Sequence, residues 1–240
     1  MLAVRERTIE IGVRESARSR RLRINVAVGK PAEVVVPPGT ADRTIDREIE
    51  RHRDWIARKT AEMEALARRR LLGLDRPGVV WLAGEPVPVH RSGGARSQAA
   101  LRRGSLVVSG PRERAAEAAE RWYRREARGR LEAAVRREAW ALGVKPGRIS
   151  VRDPRTRWGS CSSDGSLSFS WRLLVAPAQV LDYVVVHELC HLHVHDHSRR
   201  FWRLVEEARP GWREQAAWLR THSFELGEYR PLAWAVRAPG

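Results

Sequence analysis

Two cysteines, Cys161 and Cys190, are all that the 240-residue chain contains, too few for a disulfide framework. A fold held by its apolar core, with reduced thiols and a cytoplasmic location, is the expectation. No stretch approaches the twenty or so apolar residues that span a bilayer, so no membrane-spanning helix is expected. Residues 1–13 lack the unbroken apolar core of a secretory signal. Methionine occurs only at positions 1 and 63, and lysine only at Lys30, Lys59 and Lys145. Disorder is excluded by a hydrophobic fraction of 42% and by 10 tryptophans.

Arginine is what the chain has in excess. With 45 Lys+Arg against 29 Asp+Glu, the formal net charge is +16. Clusters such as Arg18-Ser19-Arg20-Arg21-Leu22-Arg23 and Arg68-Arg69-Arg70 suit phosphates, and sequence-independent nucleic-acid binding is one partner they bring into view. Against that, the arginines are spread along the chain and interleaved with glutamate. Attraction to acidic polypeptides explains the same charge.

The densest chemistry lies at His187-Glu188-Leu189-Cys190-His191, followed by His197. Residues four apart on a helix lie nearly one above the other, so His187 and His191 can grip one ion. Glu188 stands about 100° from His187 and about 60° from His191 around the axis. From there a carboxylate can reach a metal-bound water without being a ligand, as hydrolytic zinc sites require. The preceding Val180, Leu181, Tyr183, Val184, Val185 and Val186 predict a largely buried helix, and a metal satisfies histidines and a glutamate placed in such surroundings.

The residue completing the site is less evident. His195 continues the stripe, but it lies about 12 Å from His187 along a helix axis. An ion held about 2.1 Å from each nitrogen cannot be shared over that distance. The third ligand therefore follows a chain reversal, made with His195 or Asp196 in left-handed geometry. His197 ranks first, Glu206 or Glu207 second and His195 third. No methionine follows the motif, which excludes the metzincin pattern with its later Met-turn. Cys190 is read as a buried packing residue, with a fourth ligand as its alternative.

Four motifs occur in order: Arg157-Trp158-Gly159-Ser160-Cys161, Ser168-Phe169-Ser170-Trp171-Arg172-Leu173, Val184 through His191, and His197-Ser198-Arg199-Arg200-Phe201-Trp202. Together they resemble the YgjP-like metallopeptidase family, zinc hydrolases related to SprT-like proteins and called minigluzincin-like. The likeness is dense from about Ser150 to Trp218. It implies His187, His191 and His197 as ligands of one Zn2+ per chain, Glu188 as general base and a polypeptide as substrate. Asp196 then stands where it could accept a hydrogen bond from His197. The likeness also implies that the sheet edge beside the zinc binds an extended peptide by strand addition. Trp158, Gly159 and Ser160 would lie near the metal, Gly159 permitting close backbone approach and Ser160 or Arg157 stabilising an oxyanion. A structural loop docked by Trp158 is the alternative for this segment.

Along the chain, period-two alternation predicts strands near 8–13, 22–28 and 34–36, closed by Pro37-Pro38-Gly39. A helix is expected from Ile45 to about Leu72, then short strands at 79–82, 87–89 and 105–108. A long amphipathic helix over 112–142 should bury Trp122, Leu131, Val135 and Trp140. Strands at 149–151 and 167–169 flank a polar loop containing 157–164. Pro177 opens the helix of the histidine motif, Ser198 caps another ending near Ala208, and a last helix runs from Trp212 to about Thr221.

The fold class expected is α+β: a β-rich N-terminal region, 1–110, a zincin-like catalytic core, 111–225, holding the histidine-motif helix and a small sheet, and an irregular tail, 226–240. The function expected is zinc-dependent peptide hydrolysis. The rivals are a metal-dependent nucleotide phosphohydrolase and a nucleic-acid-associated protease or binding module.

Overall fold

Three consecutive valines, Val34-Val35-Val36, ending at Pro37, make the middle of the first sheet. The computed structural model describes residues 9–27, 30–68, 72–154 and 157–233. The chain is α+β and divides into two compact units, Met1–Leu71 and Leu72–Gly240. In the first unit β1 (Ile11–Glu15), β2 (Arg23–Asn25) and β3 (Ala32–Val36) pair in the order β1-β3-β2. β1 runs parallel to β3 and β2 antiparallel. Val34 and Val36 meet Ile45, with Ile11, Leu22, Ile24 and Ile49 packed around them. Thr8 and Val28 of the expected strands, and Arg69 and Arg70 of the arginine cluster, lie outside the described residues.

The single helix expected from Ile45 is two, α1 (Asp42–Arg51) and α2 (Arg53–Arg68), parted at His52. His52 takes φ −108° and ψ 10°, and its N–H reaches the carbonyls of both Glu48 and Ile49. Apolar spacing cannot reveal a break of one residue, because the period resumes almost in phase.

The second unit opens with a sheet of β4 (Val79–Leu82), β5 (Glu85–Ser92), β6 (Gln98–Arg102) and β7 (Ser105–Ser109), ordered β4-β5-β7-β6. The alternation of apolar residues does not foretell β6, whose Gln98-Ala99-Ala100 are weak strand formers. It is recruited by a two-residue hairpin in which Arg103 and Gly104 both have positive φ, 47° and 76°. After a 3-10 turn at Arg112–Arg114 comes α3 (Ala115–Leu142). Trp122, Leu131 and Val135 are buried as expected, but Trp140 is 87% exposed. Trp122 and Trp140 are five turns apart and project the same way. The buried face meanwhile shifts by about a third of a turn, from Ala118 and Trp122 to Leu131, Val135 and Ala139. α3 lies first against β6 and β7 and then against α4 (Ala178–Cys190). Its polar contacts follow the same order, Arg125 to the Ala99 carbonyl and Arg137 to Asp182.

The third sheet positions the site. β8 (Ile149–Arg152) runs parallel, and β9 (Gly159–Cys161) antiparallel, to the central β10 (Leu167–Ser170). β9 falls inside the segment expected to be a polar loop. Leu167 and Phe169 are buried and pair with Ile149, Val151, Gly159 and Cys161, so those six share the core-facing side. Ser150, Ser168 and Ser160 pair in one row on the other side. A 3-10 turn at Trp171–Leu174, then α4, α5 (Arg199–Ala208) and α6 (Trp212–Glu228) complete the unit.

α6 runs past its expected end near Thr221. Leu226, Tyr229 and Leu232 are buried, so the tail expected to be irregular from 226 is partly helical and packed. Residues 234–240 of it lie outside the described residues. The Trp81 N–H donates to the Tyr229 hydroxyl at 3.2 Å, the Tyr229 hydroxyl lies 3.0 Å from that of Tyr123, and Tyr123 donates to the Trp81 carbonyl. That closed ring ties the chain's end to β4. Among the described residues no helix is long and apolar enough to cross a membrane.

Candidate metal centre

Nine residues of α4 are buried, Glu188 among them, so the helix runs through the core as its valine-rich sequence requires. Pro177 stands at its N-cap. The helix ends at Cys190, with His191 as its C-cap. The N–H groups of His193 and Val194 bond the Cys190 carbonyl at 3.1 Å, closing a turn that sends the chain back toward the helix. Neither His195 nor Asp196 is left-handed there; the reversal is made with ordinary backbone geometry.

That turn orients the second histidine. His191 Nδ1 bonds the Val194 carbonyl at 3.0 Å, which leaves Nε2 as the free nitrogen. His187 Nε2 and His197 Nε2 lie 3.2 Å apart. One ligand atom from each of the three histidines falls within 4.8 Å of the others. Tetrahedral coordination with bonds of about 2.1 Å puts neighbouring donors about 3.4 Å apart, so the set fits a metal ion. His187 Nδ1 is buried without a hydrogen-bond partner.

Aromatic rings fix the imidazoles. Phe201 stacks on His191 at 4.5 Å and meets His187 and His197 edge-on at 4.9 Å. Trp202 lies 5.7 Å from both His187 and His197 and stacks on Trp212 at 4.4 Å, and Trp212 in turn faces Tyr183. Phe201 and Trp202 stand in the last of the four motifs, yet their residue types alone do not mark them as part of the site. Their spacing from His197, four and five residues with a helix cap between, was the available signal.

Burial, and then the neighbouring His191 and His197, push His187 down to about 4. Burial also lowers His191. Both shifts favour the neutral imidazole that a ligand must present. Burial drives Glu188 the other way, up to about 7, against the pull of the Arg157 cation and of a Cys161 backbone hydrogen bond. The Glu188 carboxylate lies over Gly159: a Cβ built there would be 2.5 Å from Oε1. The same neighbour, after burial, raises the Cys161 thiol.

The remaining candidates stand elsewhere. Glu206 accepts the Trp212 Nε1–H at 2.7 Å and pairs with Arg213, while Glu207 and His195 are exposed; none joins the cluster. His193 reaches the Leu142 carbonyl at 3.3 Å. Cys190 is fully buried and outside the cluster, which makes it a packing residue. Asp196 accepts the Ser198 N–H at 2.9 Å, and Ser198 is the N-cap residue of α5 without a capping hydrogen bond from its hydroxyl. Trp158 docks on α6 through Nε1 to Ser223 Oγ at 3.1 Å. Ser160 lies on the face of the sheet away from Glu188, in the serine row.

No curated protein matches the chain. Two solved structures are similar to part of it. The metallopeptidase zymogen abylysin of Pyrococcus abyssi is 24% identical over 40% of this chain and 88% of its own, with a TM-score of 0.32. The zymogen jannalysin of Methanocaldococcus jannaschii is 14% identical over 40% of this chain and 94% of its own, with a TM-score of 0.34. The family model of the YgjP-like metallopeptidase domain matches residues 20–222, from the first sheet to α6, and includes all three histidines and Glu188. The chain belongs to the YgjP-like metallopeptidase family.

Proposed function

We propose that the protein is a zinc-dependent peptidase whose general base is Glu188. The observation that carries this is the buried Glu188 carboxylate, pressed against Gly159 of β9 and next in the chain to His187, one of three convergent imidazoles. His187, His191 and His197 are the ligand set; three convergent nitrogen donors, two of them 3.2 Å apart, suit zinc better than a hard cation. One Zn2+ per chain would supply Lewis acidity at the scissile carbonyl and lower the pKa of a water.

Glu188 then takes a proton from the attacking water and returns it to the leaving amine. A carboxyl held near 7 suits both tasks at neutral pH, because it gives up and regains a proton at little cost. β9 is an outer strand of its sheet, and an extended polypeptide can pair along its outer edge. Such a peptide would cross beside Glu188, since Gly159 carries no side chain to hold it off. Arg157 places a cation near the carboxylate and can offset the negative charge that develops on the substrate. Trp158, anchored on Ser223, holds the strand in place.

The test is Glu188→Gln. The zinc-loaded variant should keep its metal and cleave an unfolded protein about a thousandfold more slowly. Wild-type rates in a variant that holds zinc would end the proposal.

A further inference from the structure

The three-stranded sheet has a second face that the chemistry above does not use. Opposite α4 it carries the row Ser150, Ser168 and Ser160, one hydroxyl from each strand. That row floors a cleft of about 480 Å³, bordered by Arg152 and Arg157. A polar floor under a sheet invites a ligand, because serine hydroxyls in a row bury nothing apolar.

The charges around the cleft are unequally matched. Asp153 also borders it, but its carboxylate is taken by the buried Arg172 and by Arg124 at 3.6 Å. Arg152 has no carboxylate partner among the described residues, and its side chain is exposed. Arg157 borders the cleft at one end and is close enough to Glu188 to lower its pKa, so the cleft adjoins the catalytic end of β9. Ser160 and Ser168 make no side-chain hydrogen bond among the described residues, and Ser150 donates to the Leu167 carbonyl, leaving its oxygen free to accept. What the cleft offers is two guanidinium groups and two free hydroxyl donors, a set for an anion of carboxylate size.

Strand geometry connects this cleft to a substrate. Residues directly opposite one another across a strand pair point to the same face of the sheet. In a polypeptide added to the outer edge of β9, the residue opposite Gly159 faces Glu188, and the residue opposite Ser160 faces the serine row. We infer that the outer cleft is a specificity subsite, selecting an acidic side chain at the substrate position paired with Ser160. This rests on the reading of β9 as the substrate edge. It assigns the substrate class as acidic polypeptides, and to Arg152 the role of the residue that discriminates.

The test separates binding from cleavage. Fluorescein-labelled decapeptides rich in Thr and Ser, with one Glu, Gln or Lys walked along them, are titrated onto full-length Glu188→Gln chain, with and without zinc. The same peptides are offered to the zinc-loaded wild type. One register position should favour Glu over Lys by at least about tenfold in affinity, with little preference at the positions on either side of it. Arg152→Gln should flatten that preference and Arg152→Glu should reverse it. Equal affinity for Glu, Gln and Lys at every position overturns the inference, as does a preference that survives Arg152→Glu. Cleavage without acidic selection removes this subsite and leaves the peptidase; Arg152-dependent acidic selection without cleavage does the reverse.

Discussion

A Cβ on residue 159 would stand 2.5 Å from one Glu188 oxygen and 2.7 Å from its Cγ, closer than side chains and Cβ atoms pack. Gly159→Ala must therefore displace the carboxylate. Activity should fall by about a hundredfold or more, as misplacing a catalytic group does, while zinc content stays unchanged because the atoms nearest that position belong to Glu188 and not to a histidine. Loss of zinc in Gly159→Ala would contradict this. Arg157→Ala should move the acid limb of the pH–rate profile to higher pH, because the cation that holds Glu188 down is gone; an unmoved limb would remove Arg157 from the site. Two further pKa shifts bear on the metal-free fold. His187 sits at about 4 against 6.5 when free, so the unfolded chain takes up that proton first and stability falls as pH drops from about 6.5 to about 4. Glu188 sits at about 7 against 4.5, so the fold keeps a proton that the unfolded chain has lost, and stability falls as pH rises from about 4.5 to about 7. The two slopes oppose each other in the overlap. Glu188→Gln removes the second, and its metal-free melting temperature should rise more steeply than that of wild type between about pH 5 and 6.5. At this scale His187, Glu188 and His191 were legible because a helix repeats every four residues. The contact of Glu188 with Gly159 was not, because it joins residues twenty-nine apart across two elements.

Among the elements, those with strong local patterns stand where the sequence places them: β3 on its valines, α3 on its apolar stripe and α4 on its valine-rich run. Elements defined by their partners do not announce themselves. β6 and β9 carry Gln, Ala, Gly and Ser, and become strands because β7 and β10 offer them hydrogen bonds. Trp140 escaped for the opposite reason, since a helix that changes partner midway does not keep one buried face. The last turns of α6 look polar, with His222, Ser223 and Glu225, yet two of those residues have work inside the unit. Ser223 holds Trp158, and Glu225 accepts the Leu72 N–H at 3.1 Å. Tyr229, just beyond, satisfies the Trp81 N–H. Tyr229→Phe should cost about 1–3 kcal/mol in a denaturant titration, by leaving that amide unpaired and breaking the ring with Tyr123. A change within error would mean that the ring does not help to hold α6's end on β4.

Over the whole molecule, the +16 charge is less available than its size suggests. Along α3 alone, Arg121, Arg124, Arg128 and Arg130 pair with Glu117, Glu120, Glu132 and Glu126 at helical spacing. Such exposed pairs add little stability, but they spend charge locally, and the sequence could not separate a paired arginine from one open to a ligand. Arg152 is of the second kind, which only the sheet reveals. The match over residues 20–222 gives the chain its family, and the three imidazoles give it a place for a metal. Whether those imidazoles hold the metal is therefore the central question. Elemental analysis of purified wild type, His197→Ala and the double variant Glu206→Ala/Glu207→Ala answers it directly. The account predicts about one zinc per chain in wild type and in the glutamate variant, and loss of it in His197→Ala. Zinc retained by His197→Ala but lost from the glutamate variant would contradict it.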